Sequence, residues 1–168
     1  MSIVTKTGDK GETRVFDPKT KKLVAISKSS KKIETIGNID ELNSLLGVIG
    51  EYTDIQSDLF TINAILAGTK LGFGKTKTKK LEKEIDKLER ILPPQKNFIY
   101  YGGDPTASLL FFARAVCRRA ERSLMSLSKI HSTSHQILIY LNRLSDYLFI
   151  KAREINFGSN FKEKSWIK

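Results

Sequence analysis

The chain has 168 residues, and its 29 Lys and Arg against 18 Asp and Glu give a formal net charge of +11. That length suits one compact domain over residues 1–168, and the positive field draws polyanions such as nucleic acid, nucleotides or acidic membranes without choosing among them. A single cysteine, Cys117, excludes an internal disulfide framework, and two histidines leave little material for zinc or iron; neither His131 nor His135 follows a Glu by three residues, as di-iron bundles require.

In chain order, the first feature is Thr5 to Gly11, TKTGDKG. Its glycines let backbone N–H groups turn inward while lysines and hydroxyls add donors, so the stretch reads either as an anion cradle or as an ordinary Gly/Asp turn. Lysines cluster at Lys19 to Lys22, Lys28 to Lys32 and Lys70 to Lys80, the pattern of solvated faces. Alternation within Val24 to Ile36 is weak and predicts at most one short extended piece, so this part reads as an irregular polar arm of roughly 35 residues.

From Asp40 onward apolar residues step by threes and fours, the spacing of one helical stripe. The first segment carries Leu42, Leu46 and Ile49, and the second Ile55, Leu59, Ile62 and Leu66. The third carries Leu81, Ile85, Leu88 and Leu92, closed by Pro93 and Pro94. The fourth, after Pro105, runs from Leu110 to Leu127; the fifth, capped near Ser132 to Ser134, runs from Ile137 to Ile155. Short connections favour antiparallel neighbours, so the fold class is all-α, an up-and-down five-helix bundle. No apolar run is long enough to cross a bilayer and the first residues lack a signal-peptide layout, so a cytoplasmic location is expected.

Gly68 to Thr76, GTKLGFGKT, imitates a P-loop but is one residue out of register, with Thr69 where a glycine is needed and a helical pattern in front instead of a strand; it reads as an interhelical loop. The fourth segment is more informative. Arg114, Arg118 and Glu121 share a stripe, flanked by Arg119 and Arg122; the fifth puts Asn142 and Asp146 on one face; the first opens with Asp40, Glu41 and Asn43. Such a strip is either a surface of ion pairs or a polyphosphate site, where arginine forks and lysines neutralise phosphate oxygens and Glu121 or Asn142 holds a magnesium ion, its waters or a ribose.

Four stretches, TKTGDKG at Thr5, GNIDELNSLLG at Gly37, RAVCRRAER at Arg114 and YLNRLSDYLFIKAR at Tyr140, occur in an order and spacing that resemble the PduO-type ATP:cob(I)alamin adenosyltransferases, over nearly the whole chain. The resemblance implies a ferritin-like five-helix bundle, a homotrimer with sites between subunits, and formation of adenosylcobalamin and triphosphate from ATP and cob(I)alamin with magnesium on the phosphates. It implies ATP contacts by Thr5, Lys6, Thr7, Gly8, Asp9, Lys10, Gly11, Thr13, Arg14, Lys28, Arg118, Arg119, Glu121, Arg122 and Asn142. Arg118, Asp40 and Arg114 are the implied catalytic set, the last two as a salt bridge across the subunit boundary, and Phe98 is implied to lie under the corrin ring.

The implied partners are thus ATP and cob(I)alamin, with a cobalamin reductase and an adenosylcobalamin-dependent enzyme around the reaction, and neither nucleic acid nor membrane. The chain departs from the family's usual residues at Tyr100-Tyr101-Gly102-Gly103, where a Leu-Pro precedes the glycines, and at Phe111, where a histidine is usual. Both departures fall on the implied corrin side, where Phe161 or Trp166 could close over the ring. The competing reading is a basic helical protein that binds RNA or another polyanion without catalysis.

Overall fold

A computed structural model describes residues 6, 8–131 and 133–167. It has two strands followed by five helices: β1 Glu12–Asp17, β2 Lys22–Ser27, α1 Lys31–Ile49, α2 Thr53–Leu66, α3 Lys75–Glu89, α4 Pro105–Ser128 and α5 His135–Gly158. The five helices are those the apolar spacing predicts, but the arm before them is not irregular. Strands β1 and β2 form an antiparallel hairpin in register from Glu12↔Ser27 to Asp17↔Lys22. Its turn is fastened by the Asp17 carboxylate, which accepts from the Lys19 N–H at 2.9 Å and the Thr20 hydroxyl at 2.8 Å. Those bonds, the Lys19 N–H foremost, hold the Asp17 carboxyl below its ordinary range.

The hairpin leaves little periodic trace because only Val15 in it is buried, while Lys22 to Ala25 are all exposed. It is held to the bundle by its backbone: the Phe16 N–H donates to the Ala67 carbonyl at 3.0 Å. Gly68 makes that approach possible. Its φ is +109°, and a Cβ there would stand 1.8 Å from the Phe16 carbonyl oxygen.

Helix α1 begins at Lys31, nine residues earlier than the spacing from Asp40 predicts, with Ser30 as N-cap accepting from the Ile33 N–H at 3.4 Å. Lysines at its start and Gly37 within it hide the stripe that Ile33, Ile36 and Ile39 continue. The consequence for the site is direct: Asp40 and Glu41 lie mid-helix, so neither is a cap.

In the core, α4 packs on α5 and α1, α3 on α5, and α2 on α1. Ala113, Cys117 and Ala120 of α4 are fully buried, and their small side chains allow close approach, so the Cys117 thiol donates to the Leu141 carbonyl of α5 at 3.3 Å. Burial pushes that thiol's pKa well up, which makes it an inert core residue and not a nucleophile. No helix of the described residues is long and apolar enough to cross a membrane.

A polar network sews α2, α3 and α5 together. The Tyr140 hydroxyl donates to Asp58 at 3.0 Å, Lys77 pairs with the same carboxylate, and Phe73 meets Tyr140 edge-on at 5.1 Å. Burial, before nearby carboxylates, raises the pKa of Tyr140 and Tyr147 and raises Tyr52 from 10.0 to about 12.

The folded chain therefore holds these phenol protons more tightly than the unfolded one. For Tyr52 the stability this contributes is fully present below about pH 10 and is lost as pH climbs through about 12. Urea midpoints measured across that range are expected to fall less steeply in Tyr52→Phe than in wild type. Identical profiles would show that Tyr52 carries none of the effect.

Candidate active site

The arginine-rich face of α4 is set by its start. Asp104 caps the helix, accepting from the Thr106 N–H at 2.8 Å, and Pro105 fixes the first turn, so the phase of every later residue is determined. Arg119 turns toward α1 and pairs with Glu41. With Arg122, Lys31, Asn38 and Ser123 it lines a groove of about 290 Å³ between α1 and α4, above the Thr35–Ser123 hydroxyl pair at 2.9 Å. Glu121 faces α5 instead and accepts from the Asn142 amide at 2.9 Å. Between these two directions stands Arg118, exposed and without a hydrogen-bond or ion-pair partner among the described residues.

The predicted ATP residues thus divide. Arg119 and Arg122 meet in one groove, Glu121 and Asn142 in one hydrogen bond, and Asp146 is taken by Arg143 at 2.8 Å. Asp40 is exposed on α1 and joins no salt bridge among the described residues.

At the other end of the predicted site, the Gly8 to Gly11 turn closes with the Gly11 N–H donating to the Gly8 carbonyl at 3.2 Å. Gly11 has φ +79°. Lys28 fastens this turn to the hairpin: its N–H donates to the Gly11 carbonyl at 2.9 Å and its Nζ to the Gly8 carbonyl at 2.9 Å. Lys28 therefore shapes the loop, and its ammonium keeps further donors beyond that bond. Lys6, Asp9, Lys10 and Arg14 are exposed and Thr13 half-buried. Thr5 and Thr7 lie outside the described residues, as does Ser132 of the predicted α5 cap. No hydrogen bond among the described residues joins this loop to the α4 arginines within the chain.

Phe98 is 75% exposed and lies at the rim of a cavity of about 880 Å³. Arg114, Phe149, Pro93 and Trp166 line the same space. The C-terminal segment reaches it as a short antiparallel bridge between Ile99 and Ser165, with the Trp166 N–H donating to the Phe98 carbonyl at 2.7 Å. Trp166 rather than Phe161 shares this cavity; Phe161 borders a neighbouring one with Phe157 and Lys162.

Sequence reasoning missed the two residues that hold this side together. Asn156, 1% exposed, donates from its amide to the Gly102 carbonyl at 2.9 Å and accepts from the Asp104 N–H at 3.0 Å. Gly103 lies against that amide, with φ +109° and no room for a Cβ. Arg153, 7% exposed, grips both Glu163 carboxylate oxygens at 3.0 and 3.2 Å and the Pro93 carbonyl at 3.0 Å, tying the C-terminal segment to the cavity wall. A buried polar residue within the apolar run of α5 was the available signal for each.

Residues 3–155 match the family described as cobalamin adenosyltransferase. The chain is 37% identical over 177 residues to the corrinoid adenosyltransferase of Bacillus subtilis (strain 168), covering 95% of this chain and 89% of that one. It is 34% identical over 188 residues to the corrinoid adenosyltransferase MMAB of Homo sapiens, covering 99% of this chain and 73% of the relative. Its fold superposes with a TM-score of 0.90, at 31% identity and over 99% of this chain and 100% of the other, on a variant PduO-type ATP:corrinoid adenosyltransferase from Lactobacillus reuteri complexed with cobalamin and ATP. A P-loop reading of Gly74 to Thr76 has no place in this frame, because Gly74 is the N-cap of α3 and follows a helix–loop passage. By its match over most of its length, the chain belongs to the cobalamin adenosyltransferase family.

Proposed function

We propose that the protein transfers the 5′-deoxyadenosyl group of ATP to cob(I)alamin, giving adenosylcobalamin and triphosphate. The observation that carries this reading is the full-length superposition on an enzyme complexed with both substrates. The chemistry of the residues is consistent with it. Cobalt(I) is itself a strong nucleophile, so no activated serine or cysteine is needed, and the inert Cys117 costs the reaction nothing. What remains for the protein is to hold the 5′ carbon in line and to stabilise charge growing on the triphosphate. Positioning of that kind supplies about 7–11 kcal/mol of a barrier, and a fixed donor at the developing charge about 3–4 kcal/mol more.

Arg118, which has no hydrogen-bond or ion-pair partner among the described residues, is assigned to the triphosphate, and Arg119, Arg122 and Lys28 to its flanks. Thr5, Lys6, Thr7, Gly8, Asp9, Lys10 and Gly11 with Thr13 and Arg14 form the enclosing loop, and Glu121 and Asn142 hold the remaining polar groups of the nucleotide. Among the described residues no group of three His, Cys, Asp or Glu side chains could hold a metal ion. Magnesium carried on the phosphates fits that donor set, since it keeps several waters and takes few carboxylates, here Glu121. Phe98 lies beneath the corrin, where its ring excludes a lower ligand from cobalt.

The enzyme acts as a homotrimer of single-domain chains, each site shared by two subunits. This reading is supported by exposed apolar side chains, Phe112 and Met125 on α4 and Val48 on α1. Asp40 then pairs with the partner subunit's Arg114. Asp40→Asn is expected to weaken the trimer or lower turnover by roughly 10- to 150-fold, the worth of a charge-assisted hydrogen bond, as read by ultracentrifugation and steady-state rates. Both unchanged would remove the interface claim. We place the reaction in the cytoplasm, fed by a cobalamin reductase and supplying an adenosylcobalamin-dependent enzyme. Phosphorus NMR tests the reaction itself: triphosphate is expected as the only product carrying the phosphorus of ATP, and only when cob(I)alamin is present. Release of diphosphate or phosphate instead would contradict it.

A further inference from the structure

Tyr101, in the loop before α4, and Phe111 of α4 touch each other. The rings of Tyr101 and Phe111 stack with centroids 4.8 Å apart and 24° between their planes. Phe111 is 3% exposed and fixed in the core of α4, so it gives the half-exposed Tyr101 ring a rigid wall. Phe149 of α5 meets Tyr101 edge-on at 6.5 Å and Phe111 at 5.8 Å, completing a three-ring cluster.

Against that cluster rests the Arg114 guanidinium, 5.6 Å from the Tyr101 ring centre and 5.3 Å from that of Phe149. Its NH1 donates to the Tyr101 hydroxyl at 3.1 Å. No carboxylate of the described chain pairs with Arg114, so these rings and one phenol are what orient it.

We propose that Tyr101 is a positioning residue that, backed by Phe111, holds Arg114 in place at the wall of the Phe98 cavity before substrate arrives. An unrestrained arginine carries much rotamer freedom, and two ring faces with one acceptor remove it in advance. The phenol takes only one of the five guanidinium N–H donors, which leaves the rest of the fork for a carboxylate across the subunit boundary. Because Arg114 lines the cavity with Phe98, Phe149 and Trp166, the effect falls on the corrin substrate and not on ATP. This assignment of the affected substrate rests on the proposed reaction; the hold on Arg114 does not.

Tyr101 is 56% exposed, so Tyr101→Phe and Tyr101→Leu should fold. Tyr101→Phe keeps the ring and removes the acceptor, and the KM for cob(I)alamin is expected to rise roughly 3- to 10-fold with that for ATP unchanged. Tyr101→Leu removes both contacts and should exceed it. In parallel, the Arg114 guanidinium and δ-proton resonances of the substrate-free protein are expected to be shifted by the ring faces in wild type and to move toward unrestrained values in Tyr101→Leu. Unmoved resonances would overturn the hold on Arg114. Resonances that move while both KM values stay put or rise together would overturn its bearing on the corrin side. A wild-type protein without turnover would sink the proposed reaction, and the resonances would still decide whether Tyr101 holds Arg114.

Discussion

Arg118→Ala is expected to lower kcat by about two to three orders of magnitude, the cost of removing one fixed donor from charge that develops in the transition state. The thermal midpoint should hardly move. Arg118 is exposed on α4 and bonds to nothing else in the described chain, so its loss opens no cavity and strands no buried partner. The contrast with Arg119 sharpens the expectation. Arg119 is already neutralised by Glu41, an exposed pair worth little to the fold, and lies in the α1–α4 groove. Arg119→Ala should therefore cost turnover less than Arg118→Ala does. Near wild-type rates in Arg118→Ala, measured with both substrates saturating, would show that the residue does not face the triphosphate.

The second large effect is expected far from α4. Gly68→Ala places a methyl group 1.8 Å from the Phe16 carbonyl oxygen and forces an L-residue to φ +109°. The obstructing atom is main chain, so no side-chain rotation relieves it. The hairpin has to lift away, and the 3.0 Å bond from the Phe16 N–H to the Ala67 carbonyl goes with it. A loss of about 2–4 kcal/mol is expected, the cost of backbone strain plus a broken bond. The helices should persist, since the hairpin contributes only Val15 to the buried apolar residues. The function should not persist intact, because Lys28 and the Gly8–Gly11 turn ride on the hairpin. A raised KM for ATP with retained helical circular dichroism and rapid proteolytic cutting between residues 12 and 27 is the expected signature. An unchanged KM for ATP would mean that the loop does not depend on hairpin docking.

What could be read from the chain before its fold was known follows from the range of the interactions concerned. Helices α4 and α5 show plainly because apolar residues repeat over 24 positions each and Pro105 marks one start. Helix α1 loses its first turns to view because lysines and Gly37 interrupt the stripe, although Ser30 caps it. The hairpin is invisible for another reason: β2 is exposed on nearly every residue, and an exposed ribbon needs no alternation.

The same division runs through the site. Arg114, Arg118 and Glu121 were legible as one stripe because a helix fixes their spacing. The clamp of Asn156 on Gly102 and Asp104 spans 54 and 52 positions, and no local pattern announces such a contact. Nor could spacing reveal that Tyr101 and Phe111, each a separate oddity, form one stacked pair. The proposal that Phe98 faces cobalt rests on family resemblance alone; the structure contributes an exposed ring on the rim of a large cavity.

Adenosyl transfer can be watched at the cobalt itself. Purified protein is mixed with MgATP and chemically reduced cob(I)alamin under strict exclusion of oxygen, and the visible spectrum is followed as the cobalt–carbon bond forms. Enzyme-dependent conversion to a product that light destroys is expected, with one triphosphate released for each corrinoid converted. A spectrum that stays that of cob(I)alamin, while ATP is still bound by the protein, would contradict it and leave a nucleotide-binding member of the family that has lost its corrin chemistry.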